Sequence, residues 1–292
     1  MPSNLTEQTI TEAVLRTFDT STDERFRQVF VGLVEHLHDF AREVQLTGGE
    51  WFVAMDFIER LGKISSPIRQ EVVLLSDILG FSTLVDKINQ HGGGSATDAA
   101  LLGLFFVDGR PTAGNGDDIS NGVPGTPMFV TGRVVDENGS PVAGVHVDTW
   151  HSDGEGFYDV QQTEKLHGQL AMRALLTTDD NGQFWYRSVT PRYYPVPTDG
   201  PVGEIMRPAN RSVMRPQHVH FWIHAEDYQP LITQVFLRND PYIESDPVFA
   251  AQTSLQADFV RHEPGVTPFG SCVEEPFVTL DWTFTLANKS DQ

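Results

Sequence analysis

The run from Arg215 to His224 constrains the fold of this chain more than any other stretch. From Val219 onward, every second position is apolar: Val219, Phe221 and Ile223. The alternate positions from 218 to 224 include three histidines: His218, His220 and His224. This alternation predicts a β-strand with the apolar side chains on one face and the imidazoles on the other.

The first two histidines of this strand are spaced to bind one metal ion. Side chains two residues apart on a strand point to the same side, so the rings of His218 and His220 can reach a shared ion. The strand alone leaves a second interpretation open, in which the histidines are hydrogen-bonded and hold no metal. Any further ligands must come from other parts of the chain.

The charge of the chain limits its partners. With 20 Lys and Arg residues against 40 Asp and Glu, the 292 residues carry a formal charge of −20. Such a surface repels phosphate backbones and anionic headgroups, so neither nucleic acid nor a membrane is an expected partner. A single cysteine, Cys272, and the lack of a signal-peptide pattern or a long apolar run predict a cytoplasmic location.

The N-terminal third shows the apolar periodicity of helices. Residues at three- and four-residue spacing are apolar in four segments: 6–17, 23–46, 50–61 and 66–90. Gly48 and Gly49 are predicted to end the second of these helices. A helical lobe with this much apolar surface is expected to pack against a partner subunit or the next domain.

Beyond the loop-like stretch from Gly103 to Gly125, the sequence changes to short β-branched and aromatic runs separated by turns. The predicted strands are 129–135, 145–150, 184–189, 218–224, 231–237 and 277–286. With no helices between them, they suggest an antiparallel β-sandwich. The chain is therefore predicted to be mainly β, with a helical N-terminal domain (1–105) followed by a β-sandwich domain (106–292).

Three tyrosines lie where a scaffold could present them to a site. Tyr158 ends a turn-rich stretch after a strand, and Tyr193 and Tyr194 precede the stiff segment Pro195-Val196-Pro197. Taken singly, each is more readily explained as a packed aromatic residue with a hydrogen-bonded hydroxyl. Two tyrosines and two histidines together make an oxygen and imidazole ligand set, which suits trivalent iron better than zinc.

Three motifs occur in a fixed order: Gly154-Glu155-Gly156-Phe157-Tyr158, then residues 193–201, then Arg215-Pro216-Gln217-His218-Val219-His220. Their order and spacing resemble the signature of the intradiol ring-cleaving dioxygenases. The helical N-terminal lobe resembles the dimerisation region of the catechol and hydroxyquinol members of that family. The runs Ile68-Arg69-Gln70-Glu71 and Leu74-Leu75-Ser76-Asp77-Ile78-Leu79-Gly80 are most similar to the members that act on hydroxyquinol.

The resemblance implies a ferric ion, Fe(III), held by four side chains: Tyr158, Tyr194, His218 and His220. It also implies a solvent hydroxide as fifth ligand and Tyr194 as the ligand that the substrate displaces. Arg215 and Gln234 match the family positions that stabilise charge and orient the substrate. A fixed positive charge at Arg215 would stabilise negative charge that develops on the ring.

The same resemblance implies a substrate pocket whose candidate residues are Leu74, Asp77, Leu101, Leu102 and Leu104. Asp77 could accept a hydrogen bond from the third hydroxyl of hydroxyquinol, although a solvated helix residue explains it equally well. The chain reads Gly103-Leu104-Phe105 where the family usually has Gly-Pro-Phe. This departure leaves the substrate preference open but does not affect the iron site.

The expected activity is cleavage of hydroxyquinol by O2 to 3-hydroxy-cis,cis-muconate, the enol form of maleylacetate. One alternative is the same reaction on catechol or a substituted catechol, which gives cis,cis-muconate. An alternative of another class is a non-catalytic, transthyretin-like binding module without a metal. The resemblance further implies a homodimer formed through the N-terminal helices, and a phospholipid enclosed at that interface is a further candidate partner.

Overall fold

The structure is a computed structural model that describes residues 4–66, 69–89 and 94–289. Three residues of the predicted motifs and helices, Pro67, Ile68 and Gln90, lie outside the described residues. The chain divides into two compact units, Met1–Arg60 and Leu61–Gln292. The domain boundary at residue 105, which rested on the change in sequence texture, stays a prediction.

The first unit consists of helices. They are α1 (Ile10–Leu15), α2 (Glu24–Glu43) and α3 (Gly48–Ile64), of which the last runs past the end of the unit. The side chain of Asp23 caps α2 by accepting a hydrogen bond from the backbone N–H of Phe26. Several apolar side chains of α2 and α3 are exposed: Phe30, Leu33, Leu37, Phe40, Trp51 and Phe52.

Gly48 and Gly49 do not end α2 as predicted, because they form the first turn of α3. Thr47 and Glu50 form a capping box around them: the Thr47 N–H donates to Oε2 of Glu50 over 2.9 Å, and the Glu50 N–H donates to Oγ1 of Thr47 over 3.3 Å. The left-handed residue after α2 is Gln45, at φ 52°. The prediction from the glycine pair was wrong because the capping residues Thr47 and Glu50, on either side of it, determine where α3 begins.

The predicted helix over residues 66–90 is two helices, α4 (Glu71–Ile78) and α5 (Phe81–Asn89). Gly80 separates them at φ 69°, and its N–H donates to the carbonyl of Asp77 over 2.9 Å. A glycine in this left-handed conformation is a common helix terminator. The predicted helix start at Ser66 was also wrong, because Ser66 forms a β-bridge with Arg69.

The second unit continues with strands and one short helix. They are β1 (Pro127–Asp136), β2 (His146–Trp150), β3 (Arg173–Thr177), β4 (Gln183–Val189), β5 (Tyr194–Pro195), α6 (Pro201–Met206), β6 (Met214–Arg215), β7 (His218–His224), β8 (Leu231–Leu237), β9 (Gln256–Ala257), β10 (Val260–His262), β11 (Gly265–Val266), β12 (Cys272–Val273) and β13 (Phe277–Leu286). All six predicted long strands are present, and β3 was not predicted. No helix among the described residues has the length and apolar character needed to cross a membrane.

The long strands form two sheets, with orders β10-β13-β1-β4 and β3-β2-β7-β8-β9. The predicted combination of a helical N-terminal region and a β-rich C-terminal domain is confirmed. Both sheets are mixed rather than purely antiparallel, because β1 pairs in parallel with β13 and β8 in parallel with β9. These strand pairs are far apart in the chain or joined by a long loop, so no tight hairpin forces them to be antiparallel.

The apolar face of β7 lies in the core between the sheets. Its three alternate residues, Val219, Phe221 and Ile223, are fully buried. They share one cluster with residues of the other sheet, which include Met128, Val130, Phe184, Leu280 and Phe284. Because side chains alternate along a strand, this packing turns His218 and His220 to the outer face of their sheet.

We predict that Gly132→Ala destabilises the sandwich by about 1–3 kcal/mol, the usual cost of overpacking a core. A Cβ at this position of β1 would lie 2.0 Å from Cζ of the fully buried Phe184. Urea unfolding measures the change. The matched control is Gly265→Ala, whose Cβ would meet only the carbonyl of Glu263 at 3.8 Å. An equal effect of the two substitutions would contradict the packing around Phe184.

Candidate metal centre

Two histidines and two tyrosines converge on the outer face of the β7 sheet. His218 and His220 come from β7, Tyr194 comes from β5, and Tyr158 follows β2. Tyr194 is 6% exposed, and the other three side chains are at most 1% exposed. Tyr193, the other candidate of its pair, packs instead on Tyr242 with ring centroids 4.9 Å apart.

The polar atoms of these four side chains lie close together, and we call them the four-atom cluster. Oη of Tyr158 is 3.3 Å from Oη of Tyr194, 3.4 Å from Nε2 of His218 and 3.1 Å from Nε2 of His220. Nε2 of His218 is 3.5 Å from Oη of Tyr194 and 3.1 Å from Nε2 of His220. The structure therefore brings together all four predicted ligands.

These spacings suit a common metal ion. A first-row metal bound tetrahedrally at about 2.0–2.1 Å separates its ligand atoms by about 3.3–3.4 Å. The five distances within the cluster lie between 3.1 and 3.5 Å. No group of three or more His, Cys, Asp or Glu side chains in the described part of the chain could hold a metal. A metal at this position would therefore depend on the tyrosines.

The tautomer of His218 leaves its Nε2 free to bind a metal. Nδ1 of this ring is 2.6 Å from the carbonyl of Pro216, which only accepts, so Nδ1 carries the proton. His220 is positioned by packing instead: its ring stacks on Trp150 with centroids 4.7 Å apart and an interplanar angle of 12°. Among the described residues, Nδ1 of His220 has no hydrogen-bond partner.

A buried ion pair beside Tyr158 fixes the position of that ring. The next residue, Asp159, binds the guanidinium of Arg173 through both carboxylate oxygens, and both side chains are at most 2% exposed. Nη1 of Arg173 also donates to the carbonyl of Phe105 over 3.0 Å. The ring of Phe105 stacks on that of Tyr158 with centroids 4.4 Å apart. Tyr158 is therefore held by one network that also includes the segment 94–126 between α5 and β1, which we call the linker.

Burial favours the neutral forms of Tyr158, His218 and His220. It raises the pKa of the Tyr158 phenol well above its usual value. It also lowers the pKa values of His218 and His220 well below their usual range, with a contribution from the charge of Arg215. The imidazoles are thus neutral, as metal binding requires, and a bound cation would favour loss of the Tyr158 proton.

Arg215 is a buried cation at the edge of the cluster. Its Nη1 lies 3.3 Å from Nε2 of His218, and its Nη2 donates to Oε1 of Gln234 over 2.7 Å. Gln234 in turn donates from Nε2 to the carbonyl of Leu101 over 2.5 Å. Asp246 neutralises the guanidinium, with Oδ1 accepting from Nε of Arg215 over 3.2 Å. Besides Tyr194, the predicted catalytic residues are Arg215 and Gln234. Arg215 adjoins the cluster, and Gln234 contacts both Arg215 and the linker.

A cavity of about 540 Å3 lies between α4, α5 and the linker. Four of the five predicted pocket residues line it: Asp77, Leu101, Leu102 and Leu104. Leu74, the fifth, is buried at 1% exposure and is not among the described residues that line this cavity. Gly103 also lines the cavity and lies next to the cluster, because a Cβ at this position would be 2.9 Å from Cε1 of His220.

Asp77 is buried, at 3% exposure, so it is not the solvated helix residue that the sequence alone allowed. Burial raises the pKa of its carboxyl group, and a hydrogen bond from Ser82 and the charge of Arg215 act in the opposite direction. A buried acidic group in the wall of a cavity can discriminate between ligands by the hydroxyl groups that they offer.

Comparison with known proteins assigns the chain to a family. Residues 107–287 match the family model described as "Dioxygenase", and residues 23–97 match the model described as "Catechol dioxygenase N terminus". The chain belongs to the intradiol ring-cleaving dioxygenases. It is 42% identical to the 6-chlorohydroxyquinol 1,2-dioxygenase of Cupriavidus pinatubonensis, over 89% of this chain and 93% of the relative.

Two further members of the intradiol dioxygenase family match over nearly the whole chain. The hydroxyquinol 1,2-dioxygenase of Nocardioides simplex is 39% identical, over 96% of this chain and 95% of the relative. The solved structure of the hydroxyquinol 1,2-dioxygenase of Pseudomonas putida superimposes with a TM-score of 0.87 at 37% identity, over 97% of this chain and 99% of that one. The resemblance read from the three motifs is confirmed.

Sequence reasoning missed the residues that support the site of this dioxygenase. Asp246 lies in a loop far from Arg215 in the chain, and Asp159 and Arg173 occupy positions that seemed to be ordinary polar residues. Nothing in the local pattern marks them as buried. Only Asp159 had a local signal, since it directly follows a candidate ligand.

We predict that Asp246→Ala lowers the free energy of unfolding by about 3–5 kcal/mol, because it leaves the buried charge of Arg215 without a counterion. Guanidinium or urea unfolding provides the measurement. Asp258→Ala is the matched control: it removes a carboxylate that is 68% exposed and pairs with the half-exposed Arg238. That change is expected to cost less than about 1 kcal/mol. Similar losses for both variants would mean that Asp246 does not neutralise Arg215.

Proposed function

We propose that this chain is a hydroxyquinol 1,2-dioxygenase. The proposed reaction is hydroxyquinol plus O2 to 3-hydroxy-cis,cis-muconate, with both oxygen atoms entering the product. The observation that carries the proposal is the four-atom cluster beside a cavity lined by Asp77. The names of the relatives with 39–42% identity support the choice of substrate.

We propose that Tyr158, Tyr194, His218 and His220 hold a ferric ion. Anionic oxygen and imidazole donors without any thiolate suit a hard trivalent cation. When bound, such an ion would supply Lewis acidity toward the diol and would draw electron density from its ring. The fixed Nδ1 proton of His218 and the stacking of His220 on Trp150 keep both imidazoles turned toward the ion.

Tyr194 is proposed to accept a proton from the substrate. It is the more accessible of the two tyrosines, at 6% exposure against 0% for Tyr158. It also lies on the short strand β5, whereas Tyr158 is held beside the buried Asp159–Arg173 pair. The Oη of Tyr194 can therefore leave its place and take up a diol proton more readily than that of Tyr158.

Arg215 is proposed to stabilise negative charge that develops on the substrate ring. Its guanidinium is buried and fixed by Asp246 and Gln234, so its position requires little reorganisation during the reaction. Gln234 contributes indirectly, because its amide is occupied by Arg215 and the Leu101 carbonyl. It holds the linker against the arginine and so orients the wall that the substrate contacts.

The two alternatives make different demands on the site. A catechol 1,2-dioxygenase would use the same cluster, and the relative with that name from Candida albicans is 33% identical over 97% of this chain. Catechol, however, has no third hydroxyl group to donate to the buried Asp77. A metal-free binding module would leave unexplained why four polar atoms lie within hydrogen-bond distance of one another beside a buried arginine.

We further propose a homodimer formed through α2 and α3, whose exposed apolar side chains need cover from water. A phospholipid at that interface is proposed as a bound partner on the same apolar surface. The cytoplasmic location is proposed from the acidic charge and the single cysteine. The domains 1–105 and 106–292 are proposed as the dimerisation and catalytic parts.

We predict that protein loaded with Fe(III) has a broad visible charge-transfer band from coordinated tyrosinate, and that anaerobic addition of hydroxyquinol or catechol shifts it to longer wavelength. A strong chelator should bleach the band and abolish ring cleavage. Tyr158→Phe should lower the absorbance, because it removes one of the two proposed tyrosinate ligands, whereas the control Tyr193→Phe should leave it unchanged, because Tyr193 packs on Tyr242. A colourless protein after ferric reconstitution would contradict the metal centre.

We predict that Asp77→Asn lowers the ratio of kcat/KM for hydroxyquinol to that for catechol by about 10- to 100-fold. A hydrogen bond to a charged acceptor contributes about 1.5–3 kcal/mol, and about 1.4 kcal/mol corresponds to a factor of ten. The control is Asp86→Asn, which changes the other carboxylate of the cavity. An unchanged ratio in Asp77→Asn, or an equal change in Asp86→Asn, would contradict the role of Asp77.

A further inference from the structure

The helix α4, which carries Asp77, is tied at its first residue to the loop that follows Tyr194. Glu71 is 1% exposed, and its Oε2 accepts from Nη2 of Arg69 over 3.1 Å. Its Oε1 accepts from the backbone N–H of Val202, at the start of α6, over 3.1 Å. One buried carboxylate therefore connects the beginnings of two helices.

Arg69 extends this connection to the same loop. Its guanidinium binds Asp199 through two hydrogen bonds, from Nη1 to Oδ2 over 2.9 Å and from Nη2 to Oδ1 over 2.8 Å. The hydrogen bond from Arg69 lowers the pKa of the Asp199 carboxyl group, which keeps it ionised. We call the three side chains Arg69, Glu71 and Asp199 the α4 clamp.

The backbone of the loop is shaped to fit the clamp. A Cβ at Gly200 would lie 2.2 Å from Oε1 of Glu71 and 2.8 Å from Nη2 of Arg69. Only a residue without a side chain allows the backbone to approach the two charged groups this closely. From Tyr194 to this glycine the chain includes Pro195 and Pro197, which limit its freedom.

The other end of α4 is tied to the segment that neutralises Arg215. Nη1 of Arg211 donates to the carbonyl of Ile78, the last residue of α4, over 2.5 Å. Its Nη2 donates to the carbonyl of Pro247 over 2.7 Å. Pro247 directly follows Asp246, the partner of Arg215. The helix is thus fixed at one end to the Tyr194 loop and at the other to the Arg215 counterion.

We propose that Glu71, through the α4 clamp, is a positioning residue for substrate selection: it sets where the Asp77 carboxylate stands relative to the four-atom cluster. The inference rests on the proposed function, since it concerns the selection of hydroxyquinol over catechol. The carboxylate of Glu71 is buried and its partner Arg69 is 29% exposed. Ion pairs of this kind add little net stability compared with apolar packing, and the role that we assign to this one is to fix a single geometry. Discrimination by a single hydroxyl needs such a fixed distance between the acceptor and the metal ligands.

The test compares Glu71→Gln with wild type for both diols. Glutamine keeps the size and one acceptor for the Val202 N–H but loses the charge that holds Arg69. We expect the ratio of kcat/KM for hydroxyquinol to that for catechol to fall about tenfold, mainly through KM for hydroxyquinol. Anaerobic titration of the visible band should show a similar loss of hydroxyquinol affinity, while the band of the resting protein stays at its wild-type wavelength.

A second variant keeps the test decisive if Glu71→Gln does not fold. Asp199→Asn weakens the exposed arm of the clamp, since this side chain is 72% exposed. It should lower the same ratio by a smaller factor. Asp258→Asn is matched to it in charge change and exposure, at 68%, but lies outside the clamp, and it should leave the ratio at the wild-type value.

A double-mutant comparison separates positioning from general damage. If Glu71 acts by placing Asp77, then Glu71→Gln lowers the ratio in the wild type but has no further effect on it in Asp77→Asn. A loss that is equal for both diols, or a ratio change that persists in Asp77→Asn, would overturn the inference. If Asp77→Asn lowers the ratio and Glu71→Gln does not, the proposed function stands and this inference fails. A wild type that cleaves neither diol would overturn both.

Discussion

The site depends on the packing of one strand. The apolar face of β7 is fully buried between two sheets, and a shift in register by one residue would expose all of it. Because that face is fixed, His218 and His220 have to project from the opposite side. The positions of His218 and His220 are therefore set by the sandwich core, and Tyr194 and Tyr158 are brought to them by β5 and by the turn-rich segment after β2.

Around the histidines, the protein uses buried charges in neutral pairs. Asp159 pairs with Arg173 beside Tyr158, and Asp246 pairs with Arg215 beside His218. An isolated buried charge is unfavourable, so each arginine needs its carboxylate in place. These pairs determine the positions of the Tyr158 ring and the Arg215 guanidinium. They also connect the cluster to the linker: Arg173 donates to the Phe105 carbonyl, and Arg215 contacts Gln234, which donates to the Leu101 carbonyl. The cavity and the cluster are consequently parts of one network.

Local sequence patterns correctly predicted the features that depend on the spacing of neighbouring residues. The alternation in β7 predicted the strand, its buried face and the histidine pair, whereas the choice of Tyr158 and Tyr194 as candidate ligands rested on the resemblance of their motifs. The predictions failed where other interactions decide: the capping box of Thr47 and Glu50 starts a helix across two glycines, and the left-handed Gly80 divides another. The burial of Asp77 and the pairing of Asp246 with Arg215 involve residues distant in sequence, so no local pattern could reveal them.

The central claim is that four side chains of this fold share one metal ion. Anomalous diffraction at the iron absorption edge, from crystals of Fe(III)-loaded protein, tests it most directly. The account predicts a single strong peak about 2.0–2.3 Å from each atom of the four-atom cluster: Oη of Tyr158, Oη of Tyr194, Nε2 of His218 and Nε2 of His220. A peak at carboxylate side chains elsewhere, or no peak in protein that retains iron in solution, would contradict it.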